Sequence, residues 1–138
     1  MMTMVSENEL ITQARAARER AYVPYSHFAV GAALLTAGGQ VFTGCNIENS
    51  SFGLTNCAER TAMFKAISEG QRQFASLTVI GDTAGPVSPC GACRQVLAEF
   101  AAPDMPVILT NLHGDVQRTT VAGLLPYAFK GEQMHHGE

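Results

Sequence analysis

At 138 residues, with 46% hydrophobic and 15% charged side chains, the chain can bury roughly two-thirds of its unfolded surface in one core and is too apolar to stay disordered. A net charge of −3, with nine Lys and Arg scattered along the sequence, offers no basic stripe to a phosphate backbone and argues against nucleic acid as a partner. The longest apolar run, residues 28–37, falls far short of the about 20 residues of a membrane span, and residues 1–9 lack the basic-then-apolar order of a secretory signal. The expectation is one cytoplasmic domain over 1–138, with 131–138 as a loose tail.

Ser6 with Glu9 three residues later makes a capping-box pattern, and Leu10, Ala14, Ala17 and Ala21 follow at helical spacing, which predicts a helix over 6–20 stopped by Pro24. Residues 28–36 and 40–44 flank Gly38-Gly39 and read as an antiparallel hairpin. The polar stretch 46–56 reads as a loop, after which Asn56 can cap a second helix with Ala62, Met63, Ala66 and Ile67 on one face and Gly70 as its stop. Residues 75–80 predict a buried strand. The loop 81–89 then leads to a third helix that begins at Cys90 and carries Cys93, Val96, Leu97 and Phe100 on one face. Two more strands are predicted over 106–110 and 116–121, joined through Gly114-Asp115, and a last helix over 124–130. Strand, crossover helix and strand recur twice after the hairpin, so a mixed sheet covered by helices is expected, with its crevice where strands feed helix N-termini.

The cysteines fall in that crevice. In a chain without an export signal, four cysteines point to metal or catalysis before disulfides. A catalytic zinc takes three protein ligands and leaves its fourth position to water. Cys90 and Cys93 have the two-residue gap that lets both sulfurs reach one ion, and Cys57 supplies the third through the fold. Helix N-termini at Cys57 and Cys90 favour the thiolate form that zinc requires. Three thiolates leave a net negative cluster, for which Arg60 and Arg94 are candidate counter-charges. Glu59, two residues from Cys57, can pass protons beside the open position without being a ligand. The alternative is a structural site closed by Cys45, His27 or His113; His135 and His136 read as a solvated tail.

At these residues the chain resembles the cytidine deaminase family, in its small homotetrameric branch. The resemblance spans nearly the whole chain: Pro24-Tyr25-Ser26, Val30-Gly31-Ala32, Asn46-Ile47-Glu48-Asn49, Cys57-Ala58-Glu59-Arg60-Thr61, Pro89-Cys90-Gly91-Ala92-Cys93-Arg94-Gln95, and Leu124-Leu125-Pro126 ahead of Phe129. It implies a three-layer α-β-α sandwich with a mixed, about five-stranded sheet. It also implies one zinc ion per chain on Cys57, Cys90 and Cys93. The activity implied is hydrolytic deamination of cytidine and 2′-deoxycytidine, with release of ammonia, in pyrimidine salvage. In that chemistry a metal-activated water attacks C4 and Glu59 moves the protons. The resemblance further implies that Phe28 packs on the pyrimidine and that Asn46 and Glu48 bind the ribose 3′-hydroxyl. Ala58 with Glu59 reads the base edge, Arg60 and Gln95 lie behind the metal, and Phe129 reaches a neighbouring subunit's site. Phe52 departs from the pattern, standing where many relatives have Tyr. Two other readings stay open: a deaminase of an aminated pyrimidine such as a nucleoside antibiotic, and a non-catalytic four-cysteine zinc module.

Overall fold

The computed structural model of the chain describes residues 5–131 and Met134; most of the expected tail, including His135 and His136, lies outside the described residues. Ser6 accepts a hydrogen bond from the Glu9 N–H at 3.1 Å and starts α1, Glu7–Arg18. The helix ends two residues before the expected 20 and well ahead of Pro24. Glu19, Arg20 and Ala21 instead donate to the carbonyls three residues back, a tightened last turn that the apolar spacing does not reveal. The hairpin is β1, Val30–Thr36, and β2, Val41–Cys45, paired antiparallel. Gly39 takes a φ of +91° at its turn, where a side chain would be strained.

The loop after β2 contains a 3₁₀ turn at Phe52–Leu54, and Ile47 bridges both Tyr22 and Asn56. That bridge occupies the Asn56 backbone, while the Asn56 side chain donates to Thr61 Oγ1. The cap of α2, Ala58–Ser68, is therefore Cys57 and not Asn56. β3, Phe74–Gly81, leads to α3, Gly91–Phe100, capped by Cys90. Cys93 and Leu97 are buried, but Phe100 stands exposed at the helix end. β4, Pro106–Asn111, and β5, Val116–Thr120, follow. The final helix, α4, is Val121–Leu124 and meets the span expected for it, 124–130, only at Leu124. Thr120 caps it by accepting from the Gly123 N–H, and Pro126 lies just beyond its end, where the missing N–H prevents continuation.

The strands form one mixed sheet in the order β2-β1-β3-β4-β5, parallel only between β3 and β4. Ala33 and Ile80 pack with Leu10 and Ala14 of α1 on one face. Ala32, Leu34, Leu77 and Val79 pack with α2 and with Leu97 of α3 on the other. Helices on both sides of the sheet make the three layers expected. Two glycines set how closely the helices lie. A Cβ on Gly31 would come within 2.0 Å of Ala14 O in α1, and one on Gly44 within 2.4 Å of Ala58 O in α2. Because α2 rests on Gly44 at its first residue, that contact also sets the height of the Cys57 end.

Candidate active site

Two helices begin at one place. Cys57 and Cys90 are the N-caps of α2 and α3, and Cys93 lies one turn into α3. Cys57 Sγ stands 3.6 Å from Cys90 Sγ, and Cys90 Sγ 3.3 Å from Cys93 Sγ. All three sulfurs lie within 4.8 Å of one another. Zinc with bonds of about 2.3 Å in a tetrahedron needs sulfurs roughly 3.8 Å apart, so a small adjustment seats the ion. Among the described residues this is the sole such cluster of metal-binding side chains. Cys45, His27 and His113 are not part of it. Cys45 lines a separate cavity of about 430 Å³ along the β2 edge, and His113 pairs with Asp82 at 3.2 Å. Among the described residues, neither a fourth cysteine nor a histidine joins the three sulfurs.

The electrostatics favour a cation. Hydrogen bonding from Cys93, then from Arg60, draws the Cys57 thiol down to about 5, into the thiolate form at neutral pH. The hydrogen bond to Cys57, together with burial, pushes Cys93 up. Two adjacent thiolates thus resist forming together until a metal ion compensates them. Arg60 Nη2 donates to Cys57 Sγ at 3.1 Å and to Thr55 O at 3.4 Å, placing a positive charge against the cluster. Arg94 does not share that position. Its guanidinium is spent on Pro89 O, Ser88 Oγ and Leu124 O, so it braces the turn before Cys90 and the last residue of α4.

Glu59 sits in the first turn of α2 and is only 4% exposed. Burial raises its pKa against a hydrogen bond to Cys93 that lowers it. Ala58, fully buried, presents no side chain to a ligand, so only its backbone N–H at the helix start can. Phe28 is 41% exposed, not a core aromatic, and its ring edge approaches Gly81. Asn46 braces the neighbouring backbone, accepting from the Val30 N–H at 2.9 Å and donating to Phe28 O at 2.7 Å. Glu48 Oε1 accepts from the N–H groups of Tyr25 and Ser26 at 3.0 and 3.1 Å. Hydrogen bonds from Ser26, then from Tyr25, hold its carboxyl below the usual range. Gln95 Nε2 donates to Phe129 O at 2.9 Å, tying α3 to the C-terminal stretch, where the Phe129 ring is 56% exposed. The Tyr25 and Ser26 donors that seat Glu48 were not legible as such in the sequence. They stand more than 20 positions away, and their only local sign was Pro24.

A three-thiol cluster at two helix starts, with a buried carboxyl beside it on a mixed sheet, defines a zinc enzyme of the α-β-α kind. The model of the cytidine and deoxycytidylate deaminase zinc-binding region matches residues 4–109. The chain is 62% identical over 128 residues to the cytidine deaminase of Sporosarcina psychrophila, covering 93% of this chain and 94% of that protein. It is 60% identical over 126 residues to that of Halalkalibacterium halodurans, covering 91% and 96%. The crystal structure of cytidine deaminase from Burkholderia pseudomallei superposes with a TM-score of 0.89 at 56% identity, over 91% of this chain and all of that one. The chain belongs to the cytidine deaminase family, and its metal is zinc, held by Cys57, Cys90 and Cys93.

Proposed function

We propose that the chain, acting as one domain over 1–138, is a cytoplasmic zinc-dependent deaminase. It converts cytidine and 2′-deoxycytidine to their uracil counterparts and ammonia, in pyrimidine salvage. The observation that carries this reading is the three-thiol cluster with Glu59 buried against Cys93. When bound, zinc supplies a Lewis acid that makes water a nucleophile at neutral pH. The Glu59 carboxylate takes the proton of the attacking water and delivers it to N3 of the ring as the C4–O bond forms. A second transfer, to the 4-amino nitrogen, lets the C4–N bond break and ammonia leave. Burial raises the Glu59 pKa, which makes its carboxylate a stronger base toward the proton of the attacking water.

The other roles follow from placement. Phe28, half-exposed beside Gly81, offers its face to the pyrimidine. Asn46 and Glu48 hold the ribose 3′-hydroxyl: the Tyr25 and Ser26 N–H groups both bind Glu48 Oε1, which fixes a charged acceptor there. The Ala58 N–H reads the base edge, Arg60 balances the thiolates, and Gln95 steadies the stretch that carries Phe129. Phe52, Leu54 and Phe129 are 74%, 71% and 56% exposed, apolar side chains that a homotetramer would cover while bringing Phe129 to a neighbour's site. No described helix is long and apolar enough to cross a membrane. The test is metal analysis of the purified protein together with ultraviolet monitoring of cytidine. Stoichiometric zinc and loss of the cytidine band support the reading; a metal-free, inactive protein ends it.

A further inference from the structure

The loop between β3 and α3 carries both Val87 and the turn into Cys90, yet it contains no regular structure. Its shape comes from a residue on another strand. Asn111, the last residue of β4, pairs in parallel register with Gly81 and is 3% exposed. Its Nδ2 lies 2.9 Å from Thr83 O, 3.3 Å from Ala84 O and 3.2 Å from Gly85 O, and 2.8 Å from Asp115 Oδ2. Its Oδ1 accepts from the N–H groups of His113 and Asp115 at 2.9 and 3.0 Å. One buried amide therefore joins the β3–α3 loop to the β4–β5 turn, and both of its ends are satisfied. Beyond the clasp, Val87 donates its N–H to Thr110 O, and its side chain packs where a Cβ on Gly81 would stand, next to the Phe28 ring. Three residues later the loop delivers Cys90.

We propose that Asn111 is a positioning residue for this site: its amide holds the β3–α3 loop in the shape that brings Cys90 to Cys57 and Val87 to Phe28. The proposal rests on the reading of the three thiols as the zinc site and of Phe28 as the residue beside the base. Asn111 touches neither metal nor substrate. It acts through the loop, so its loss moves metal retention and substrate binding together. An ordinary destabilising change elsewhere does not. Partners that hydrogen-bond a metal ligand directly govern about a 10- to 100-fold range in metal affinity; Asn111, which reaches Cys90 only through the loop, belongs at or below the lower end of that range.

The experiment compares Asn111→Asp, which keeps the two acceptor contacts and loses the donors to the loop, with Leu10→Ala, a buried change under α1 on the opposite face of the sheet. Asn111→Ser, shorter and neutral, serves if the aspartate variant does not fold. For each purified zinc protein the melting temperature, the rate of zinc release to a chromophoric chelator, and kcat and KM for cytidine are measured. The cobalt-substituted forms report the thiolate charge-transfer bands. The Asn111 variants are expected to release zinc several-fold faster, up to about tenfold, to shift the cobalt bands, and to raise KM. Leu10→Ala lowers the melting temperature and leaves the other readouts at wild-type values. Wild-type zinc release and KM in a folded Asn111 variant would overturn the proposal. So would equal changes in Leu10→Ala, since the effect would then be general destabilisation. A wild type that neither holds zinc nor converts cytidine fails the functional reading first, which the variants cannot mimic.

Discussion

Glu59 and Glu48 are both carboxylates of the proposed site, but their surroundings push them in opposite directions. Burial raises Glu59, whereas donors from Ser26 and Tyr25 lower Glu48. The first suits a group that must gain and lose a proton, the second a group that must stay charged. Glu59→Gln keeps the shape of the side chain and abolishes its proton transfer. It should retain zinc, and kcat should fall by roughly 10²- to 10⁴-fold, with metal analysis run on the same sample. Loss of zinc in that variant would make Glu59 a ligand instead. For Glu48, kcat/KM should be lower for 3′-deoxycytidine and for free cytosine than for cytidine by roughly 10- to 100-fold. Glu48→Ala should narrow that gap. Because its pKa is depressed, Glu48 stays ionised below the pH at which an ordinary Glu protonates, and the preference should fade only as pH falls through that lowered value. Equal kcat/KM for all three substrates would remove the sugar clamp.

At the scale of elements, α2 is set on the sheet by Gly44 and α1 by Gly31. A Cβ at Gly44 would meet Ala58 O at 2.4 Å and Ala62 N at 2.6 Å; one at Gly31 would meet Ala14 O at 2.0 Å. These neighbours are backbone, so the helices themselves must move. Overpacking of this kind costs about 1–3 kcal/mol, and both Gly→Ala changes should lower the melting temperature. Their effects on the site should differ. Gly44→Ala lifts the end of α2 that carries Cys57 and Glu59, so zinc affinity and kcat per bound zinc should both fall. Gly31→Ala displaces α1 on the other face and should leave kcat per bound zinc unchanged. Calorimetry paired with activity normalised to zinc separates the two, and a Gly44→Ala protein with normal turnover would mean that α2 height is not what places Glu59.

For the whole molecule, the exposed Phe129 and the apolar Phe52 and Leu54 matter more than the net charge. If Phe129 completes a neighbour's site, activity per chain depends on assembly and so on concentration. Dilution should lower specific activity in step with the loss of tetramer in sedimentation velocity. Phe129→Ala should raise KM without changing zinc content. A sedimenting monomer with full activity would rule out the shared site. Phe52 meets the Tyr25 ring edge-to-face at 6.1 Å, a contact that needs no hydroxyl, so a phenylalanine there is compatible with the local packing.

Some of this was settled by the sequence alone, because it depends on local rules. The gap between Cys90 and Cys93, the carboxyl two residues after Cys57, the capping serine of α1 and the glycines at the hairpin turn act within one or two turns of chain. Neighbours in sequence are there neighbours in space. Other features depended on where distant segments meet. Cys57 and Cys90 lie 33 positions apart and 3.6 Å apart. Nothing local distinguishes Arg60, which reaches a sulfur, from Arg94, which braces carbonyls. The spacing of 124–130 suggested a helix, but the Thr120 cap and the sheet edge placed a shorter one that reaches only Leu124. Composition and periodicity report which residues seek burial and at what pitch. Only the packing of helices and loops around one sheet decides which side chains arrive together, and the seat of Glu48 on Tyr25 and Ser26 and the reach of Asn111 to Thr83, Ala84 and Gly85 belong to that decision.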